Sequence, residues 1–237
     1  MRLALVSDLH GNELALERVL ADAARVGFDR LVCLGDVATL GPRPKAVLDR
    51  LRDLGCDCIL GNHDEFMLEP ALVRSYSEYP IVVDSVDATR ESLSDDDVSF
   101  IRSFQRTVDL EDVFLYHGTP RSNMEDLLID TPSAHVDEML DGKSAVVLAG
   151  GHTHIQMMRQ HKGMLIVNPG SLGQPFREYA NGGPPVILSH AEYAIIDVRK
   201  NGVSVDLRRV NLDPKELASQ VAGWDNPLAS SLRGAYV

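Results

Sequence analysis

The chain has 237 residues, of which 44% are hydrophobic and 24% charged. These values suit one large globular core and exclude collagen-like, low-complexity and largely disordered classes. Lys and Arg number 23 against 35 Asp and Glu, a formal net charge of −12. The imbalance is local: His63 to Asp141 holds 19 acidic and 5 basic residues. That balance argues against a basic face for duplex nucleic acid, and the acidic middle reads as a solvated surface. Every apolar run falls far short of the ~20 residues a membrane span needs. The first one stops at Ser7-Asp8, so no secretory signal is expected. Cys56 and Cys58 lie too close in an extended run for a zinc knuckle. With Cys33 they point to strand packing and a reducing, cytoplasmic home.

In chain order, Leu3 to Val6 is an apolar strand run ending at Asp8-Leu9-His10-Gly11-Asn12. A helical face follows, carrying Leu16, Val19, Leu20 and Ala23, with Asn12 as its N-cap. Arg30 to Leu34 is a second strand run, ending at Gly35-Asp36. Pro42 and Pro44 open a helix with Val47, Leu48, Leu51 and Leu54 on one face. Cys56 to Leu60 is a third strand run, ending at Gly61-Asn62-His63-Asp64. This alternation predicts a parallel sheet with right-handed crossovers. Residues 65–110 read as helices and loops, with a helix start at Ser94-Asp95-Asp96-Asp97. Strand signals return at Val113–Tyr116, Ala145–Ala149, Met164–Val167, Tyr193–Val198 and Val203–Val210. Asn201-Gly202 marks a hairpin, and Asp213-Pro214 starts a helix over Lys215–Ala222. No repeat or linker interrupts the chain. The expectation is one α/β domain over 1–237: two facing sheets with helices outside.

The strand runs end in residue types that bind metals. The segments are Asp8-Leu9-His10, Gly35-Asp36, Gly61-Asn62-His63-Asp64, His117-Gly118 and Gly151-His152-Thr153-His154. Sites on open α/β sheets form beyond the carboxyl ends of strands, so these loops can converge. Asp-x-His and His-x-His place two side chains on one side of an extended segment, as a pincer. Imidazole and carboxylate together suit zinc, iron, manganese or nickel. Seven ligands are too many for one ion and fit two, with Asp36 the natural bridge. A lone Asp or His at a strand end is usually a cap; five such segments together are not. Arg121 and Arg177 are candidate phosphate contacts or surface ion pairs. Asn168-Pro169-Gly170-Ser171 is explained by turn formation. His135, His161 and His190 read as surface residues.

These blocks, in this order, resemble the calcineurin-like metallophosphoesterases. Asp-x-His, Gly-Asp, Gly-Asn-His-Asp, a His, then Gly-His-x-His all stand here, with 28 residues from Asp8 to Asp36 and 26 from Asp36 to Asn62. The resemblance runs from Asp8 to His154 and is closest to a small bacterial and archaeal phosphodiesterase branch related to diadenosine-polyphosphate hydrolases. It implies a metallophosphoesterase-type β-sandwich of two mixed sheets flanked by helices. It implies that Asp8, His10 and His154 hold one divalent cation, that Asn62, His117 and His152 hold a second, and that Asp36 bridges them. It implies catalytic roles for His63, near the scissile phosphate, and for Asp64, as the carboxylate that orients that imidazole and raises its pKa. The implied chemistry is in-line attack on a phosphoester by a water activated between two cations about 3.5–4 Å apart. Protein phosphatases of the superfamily carry an Arg shortly after the bridging Asp. Here the segment is Gly35-Asp36-Val37-Ala38-Thr39-Leu40-Gly41-Pro42-Arg43, and Arg43 is displaced from that place. The expected substrate is therefore a small phosphodiester or nucleotide-type ester. The alternatives are a small-metabolite phosphatase, a dinucleoside polyphosphate hydrolase and, outside enzymes, a protein-interaction scaffold.

Overall fold

A computed structural model describes residues 1–110, 112–180 and 183–236. In chain order the elements are β1 (Arg2–Val6), α1 (Glu13–Val26), β2 (Arg30–Cys33), α2 (Pro44–Asp53), β3 (Asp57–Cys58), α3 (Asn62–Leu68) and a 3₁₀ turn (Pro70–Leu72). Next come α4 (Val73–Tyr76), α5 (Pro80–Ser92), α6 (Asp95–Arg102), β4 (Val108–Asp109), β5 (Val113–Leu115), α7 (Ser133–Leu140), β6 (Val147–Ala149), β7 (Met157–His161) and β8 (Met164–Asn168). β9 (His190–Arg199), β10 (Gly202–Asn211), α8 (Pro214–Val221) and α9 (Ala229–Ala235) complete the chain.

Two five-stranded mixed sheets form, ordered β10-β9-β1-β2-β3 and β4-β5-β6-β8-β7. β1, β2 and β3 pair in parallel through the α1 and α2 crossovers, as do β5, β6 and β8 in the second sheet. The period of two along β1 sorts its side chains between two layers. Leu3 and Leu5 face Val113, Leu115, Val147 and Val167 of the opposite sheet. Ala4 and Val6 pack with Leu16, Val19, Val47 and Leu48 of the helices outside the first sheet. Val136, Met139 and Leu140 of α7 cover the outer face of the second sheet at Phe114, Tyr116 and Ile166. The layers run helix, sheet, sheet, helix, as the sequence predicts.

Asn12 caps α1 by accepting from the Ala15 amide, and Asp213 caps α8 through Lys215. Ser94 and Asp97 form a reciprocal capping box at α6. Several details differ from expectation. Leu54 lies just past the end of α2 and is exposed rather than buried. The hairpin connection is Lys200-Asn201, because Gly202 already pairs with Arg199. β7 adds a strand beyond those the sequence signals: its five residues, Met-Met-Arg-Gln-His, carry a polar centre on a sheet edge. His161 is buried on β7 and paired with Asp137 at 2.9 Å, so it is not a surface residue. No helix among the described residues is long and apolar enough to cross a membrane.

Candidate metal centre

Both sheets turn the carboxyl ends of their parallel strands to one edge. Asp8 and His10 follow β1, Asp36 follows β2, Asn62 and His63 follow β3, His117 follows β5, and His152 and His154 follow β6. Two buried triads result. Asp8, His10 and His154 form one; Asp36, His117 and His152 form the other; within each, the ligand atoms lie within 4.8 Å of one another. Asp36 reaches both, with Oδ2 4.0 Å from His10 Nε2 and Oδ1 3.4 Å from His117 Nε2.

The backbone is bent to achieve this. Asp8, His10, Asp36, His152 and His154 all have positive φ, between 45° and 70°. L-residues avoid this region, at a cost of about 1–3 kcal/mol each, and such strain gathers where a site over-determines it. The loops also sit against one another with no room to spare. A Cβ on Gly61 would lie 2.1 Å from Asp36 Oδ1.

Hydrogen bonds fix which ring nitrogens face inward. His10 Nδ1 lies 3.2 Å from Thr39 O, His117 Nδ1 2.7 Å from Leu34 O and His154 Nδ1 2.7 Å from Gln174 O. A carbonyl only accepts, so each Nδ1 carries the hydrogen and each Nε2 presents a lone pair. His10 Nε2 and His154 Nε2 then confront each other at 3.0 Å as two acceptors. His117 Nε2 and Asn62 Oδ1 do the same at 3.0 Å, and Asn62 Nδ2 has no partner. Asp8 Oδ1 is buried with no donor. Acceptors converging without donors are what a shared cation relieves, and carbonyl-anchored imidazoles are the usual support of such ligands. The donor set therefore fits divalent cations.

Burial governs the titration of these groups. It pushes Asp8 up to about 6 and Asp36 up to about 7. It lowers His10, His63 and His152 from their ordinary value and brings His154 down to about 4. Burial thus favours the neutral imidazole at His10, His152 and His154, the form a metal ligand needs.

Asp64 departs from the sequence reading. Its carboxylate accepts from the backbone amides of Asp36 (2.8 Å), Val37 (2.9 Å) and Gly61 (3.0 Å). It braces the Asp36 and Gly61 loops and does not hold the His63 imidazole. His63 Nδ1 is buried without a partner, and the ring packs edge-on to His10 and Phe66 at 5.3 and 5.1 Å. Burial, and then the neighbouring histidines, disfavour the charged form of His63.

Arg121 pairs with Glu125 and Arg177 with Glu178, both near the surface. Among the described residues no Lys or Arg forms an ion pair with Asp8, Asp36 or Asp64. Asn168 and Ser171 do more than turn the chain. Asn168 Nδ2 donates to Gly151 O and Thr153 Oγ1, and Ser171 Oγ donates to Asp8 O. Gln174 escaped the sequence reading: its carbonyl anchors His154 while its side chain donates to Leu40 O. Backbone acceptors leave no residue-type signal. Phe176 stacks on the His154 ring at 4.2 Å. Asp126 was likewise missed, and its Oδ1 stands 3.4 Å from His152 Nε2.

A four-layer sandwich with two buried His-carboxylate triads at one sheet edge defines a class of metal-dependent hydrolases. The chain belongs to the calcineurin-like phosphoesterase superfamily, whose domain pattern matches residues 1–200. It is 28% identical over 239 residues to the phosphodiesterase YfcE of Escherichia coli K12, covering 94% of this chain and 98% of that one. It is 25% identical over 240 residues to MJ0912 of Methanocaldococcus jannaschii, covering 92% and 91%. A metallophosphoesterase crystal structure from Sphaerobacter thermophilus superposes over all of both chains with a TM-score of 0.77 at 24% identity. The protein is a hydrolase of phosphoesters, in a family that depends on metal.

Proposed function

We propose that the chain is a two-cation phosphodiesterase acting on small, nucleotide-type esters. The observation that carries this reading is Asp36, whose two oxygens face one histidine of each triad. Asp8, His10 and His154 would hold one cation, and Asn62, His117 and His152 the other. Bound divalent cations, with manganese, iron, zinc or nickel as candidates, supply Lewis acidity toward phosphate oxygens and lower the pKa of the attacking water.

The chain's own residues do the rest. The His63 amide donates to Asp36 Oδ1 at 2.9 Å, which keeps that oxygen aimed. The His63 imidazole packs beside His10 at 5.3 Å, where it can act on a non-bridging or leaving oxygen of the ester. Asp64 holds the Asp36 loop in its left-handed bend through three amides. Arg121 and Arg177 are occupied by glutamates. Without a second cationic clamp the site suits the single charge of a diester better than the dianion of a monoester. The naming of YfcE as a phosphodiesterase supports the same choice.

The test is a metal-reconstituted panel: an aryl phosphodiester, an aryl monoester and diadenosine tetraphosphate, with metal content measured on the same sample. The expected result is two cations per chain and fastest turnover of the diester. Faster monoester turnover overturns the substrate class. No metal uptake overturns the site.

A further inference from the structure

We infer that Tyr76, on α4, contacts the organic group of the ester and selects an aromatic one, an aryl ring or a nucleobase. This deepens the phosphodiesterase reading above and rests on it. Tyr76 lies outside every motif block, in the acidic segment that follows Asp64.

Three ring contacts fix its place. Its centroid is 6.2 Å from that of His63, 6.3 Å from that of His152 and 5.4 Å from that of Phe66. His63 in turn lies 5.3 Å from His10 of the first triad, and His152 belongs to the second. Tyr76 therefore stands against rings from both sides of the centre. Those histidines and Phe66 are buried, whereas Tyr76 is 42% exposed, so it marks the outer edge of the site. The segment that carries it is held: Val73 is buried in the core, and Arg74 pairs with Asp87 of α5.

The ring keeps room to stack. Its interplanar angles to His63, Phe66 and His152 are 83°, 48° and 53°, so none of these neighbours lies flat on it. Two more aromatic residues continue the rim. Phe176 packs on His154 at 4.2 Å. Tyr179 donates to Asp126 Oδ2 at 2.6 Å, and Asp126 Oδ1 is 3.4 Å from His152 Nε2. Charge on the rim points to the same occupant. Arg121 and Arg177 are held by Glu125 and Glu178. A second phosphate beside the ester would meet the Asp126 carboxylate, and neither of these guanidinium groups is free to offset it. A flat, uncharged ring meets Tyr76 instead, in an offset or edge-on contact. Every base presents such a face, so stacking tolerates different bases.

The experiment is competitive inhibition of aryl-phosphodiester turnover by the Mn²⁺-loaded full chain. The inhibitors are phenyl, cyclohexyl and thymidine 5′-esters of methylphosphonic acid, which carry the same single negative charge. Wild type, Tyr76→Phe and Tyr76→Leu are compared, with metal content and melting curve measured on each. Expected in wild type is about 5–100-fold tighter binding of the phenyl than of the cyclohexyl ester. Tyr76→Phe keeps that ratio. Tyr76→Leu brings it close to one, and its loss with the aryl diester falls on KM more than on kcat. A thymidine ester that weakens in Tyr76→Leu as the phenyl ester does makes the group a nucleobase; one that does not makes it a small aryl ring. Equal binding of phenyl and cyclohexyl esters by wild type overturns the inference, and so does an unchanged ratio in Tyr76→Leu. A loss in Tyr76→Phe as large as in Tyr76→Leu assigns the effect to the hydroxyl and overturns stacking. No diester turnover by metal-loaded wild type overturns the phosphodiesterase reading and this inference with it.

Discussion

His63 and Asp64 are neighbours in sequence but serve different parts of the centre. His63 packs its ring beside His10 and leaves Nδ1 buried without a partner, whereas Asp64 spends both oxygens on backbone amides. Their substitutions should separate accordingly. His63→Ala removes a group expected to act on the ester and no metal donor. It should lower kcat by about 10²–10⁴-fold and leave metal content at the wild-type level. Steady-state kinetics and metal analysis on one sample check this, and an equal loss of metal would contradict it. Asp64→Asn turns an amide NH₂ toward backbone N–H groups that need acceptors. It should cost about 1–3 kcal/mol of stability, read by denaturant unfolding, and weaken metal binding through the released Asp36 loop. A wild-type midpoint would show that Asp64 does not brace that loop.

The loops after β1, β2, β3 and β6 are each built around a turn that only certain residues allow. Gly61 joins β3 to α3, and a methyl there would meet Asp36 Oδ1 at 2.1 Å and Asp36 N at 2.5 Å. Gly61→Ala should therefore push Asp36 out of both triads. Metal affinity should fall by at least the ~10–100-fold seen when a supporting residue is lost, with α3 still formed. Circular dichroism and metal titration distinguish this from unfolding. The same elements show what was legible in the chain. The strand–loop–helix units around Asp8, Asp36 and Asn62 could be read because an apolar run, a glycine and ligand-type residues fall together. β7 could not, because an edge strand needs no apolar alternation; Lys162-Gly163, the turn to β8, was its one signal. α7 and α9 were missed because each is short and lacks a side-chain N-cap. Asp64 was misread because its partners are backbone amides supplied by residues 27 and 28 positions earlier. Asp126 was missed because only the third dimension brings it to His152.

At the scale of the whole molecule, the two sheets bury a cluster of carboxylates and imidazoles that protons or cations can neutralise. Without metal, burial keeps Asp8 protonated up to about pH 6 and Asp36 up to about pH 7. Both values lie above the unfolded one, near 4, so the folded state binds more protons than the unfolded chain over that interval. These two groups therefore subtract from metal-free stability progressively as pH rises from about 4 to about 7. The buried histidines act in the opposite sense. His154 titrates at about 4 against an ordinary 6.5, so its contribution is lost as pH falls through that interval. Cations need the carboxylates ionised and the imidazoles neutral, so their binding releases protons below about pH 7 and ceases to do so above it. The rise in melting temperature on adding Mn²⁺ to chelator-treated protein should thus grow from pH 5 to about pH 7.5 and then level. Saturation to a hundred times the dissociation constant corresponds to about 2.7 kcal/mol per site. Thermal scans with and without Mn²⁺ across this range check the sign. A shift as large at pH 5 as at pH 7.5 would mean that cations do not bind through Asp8 and Asp36.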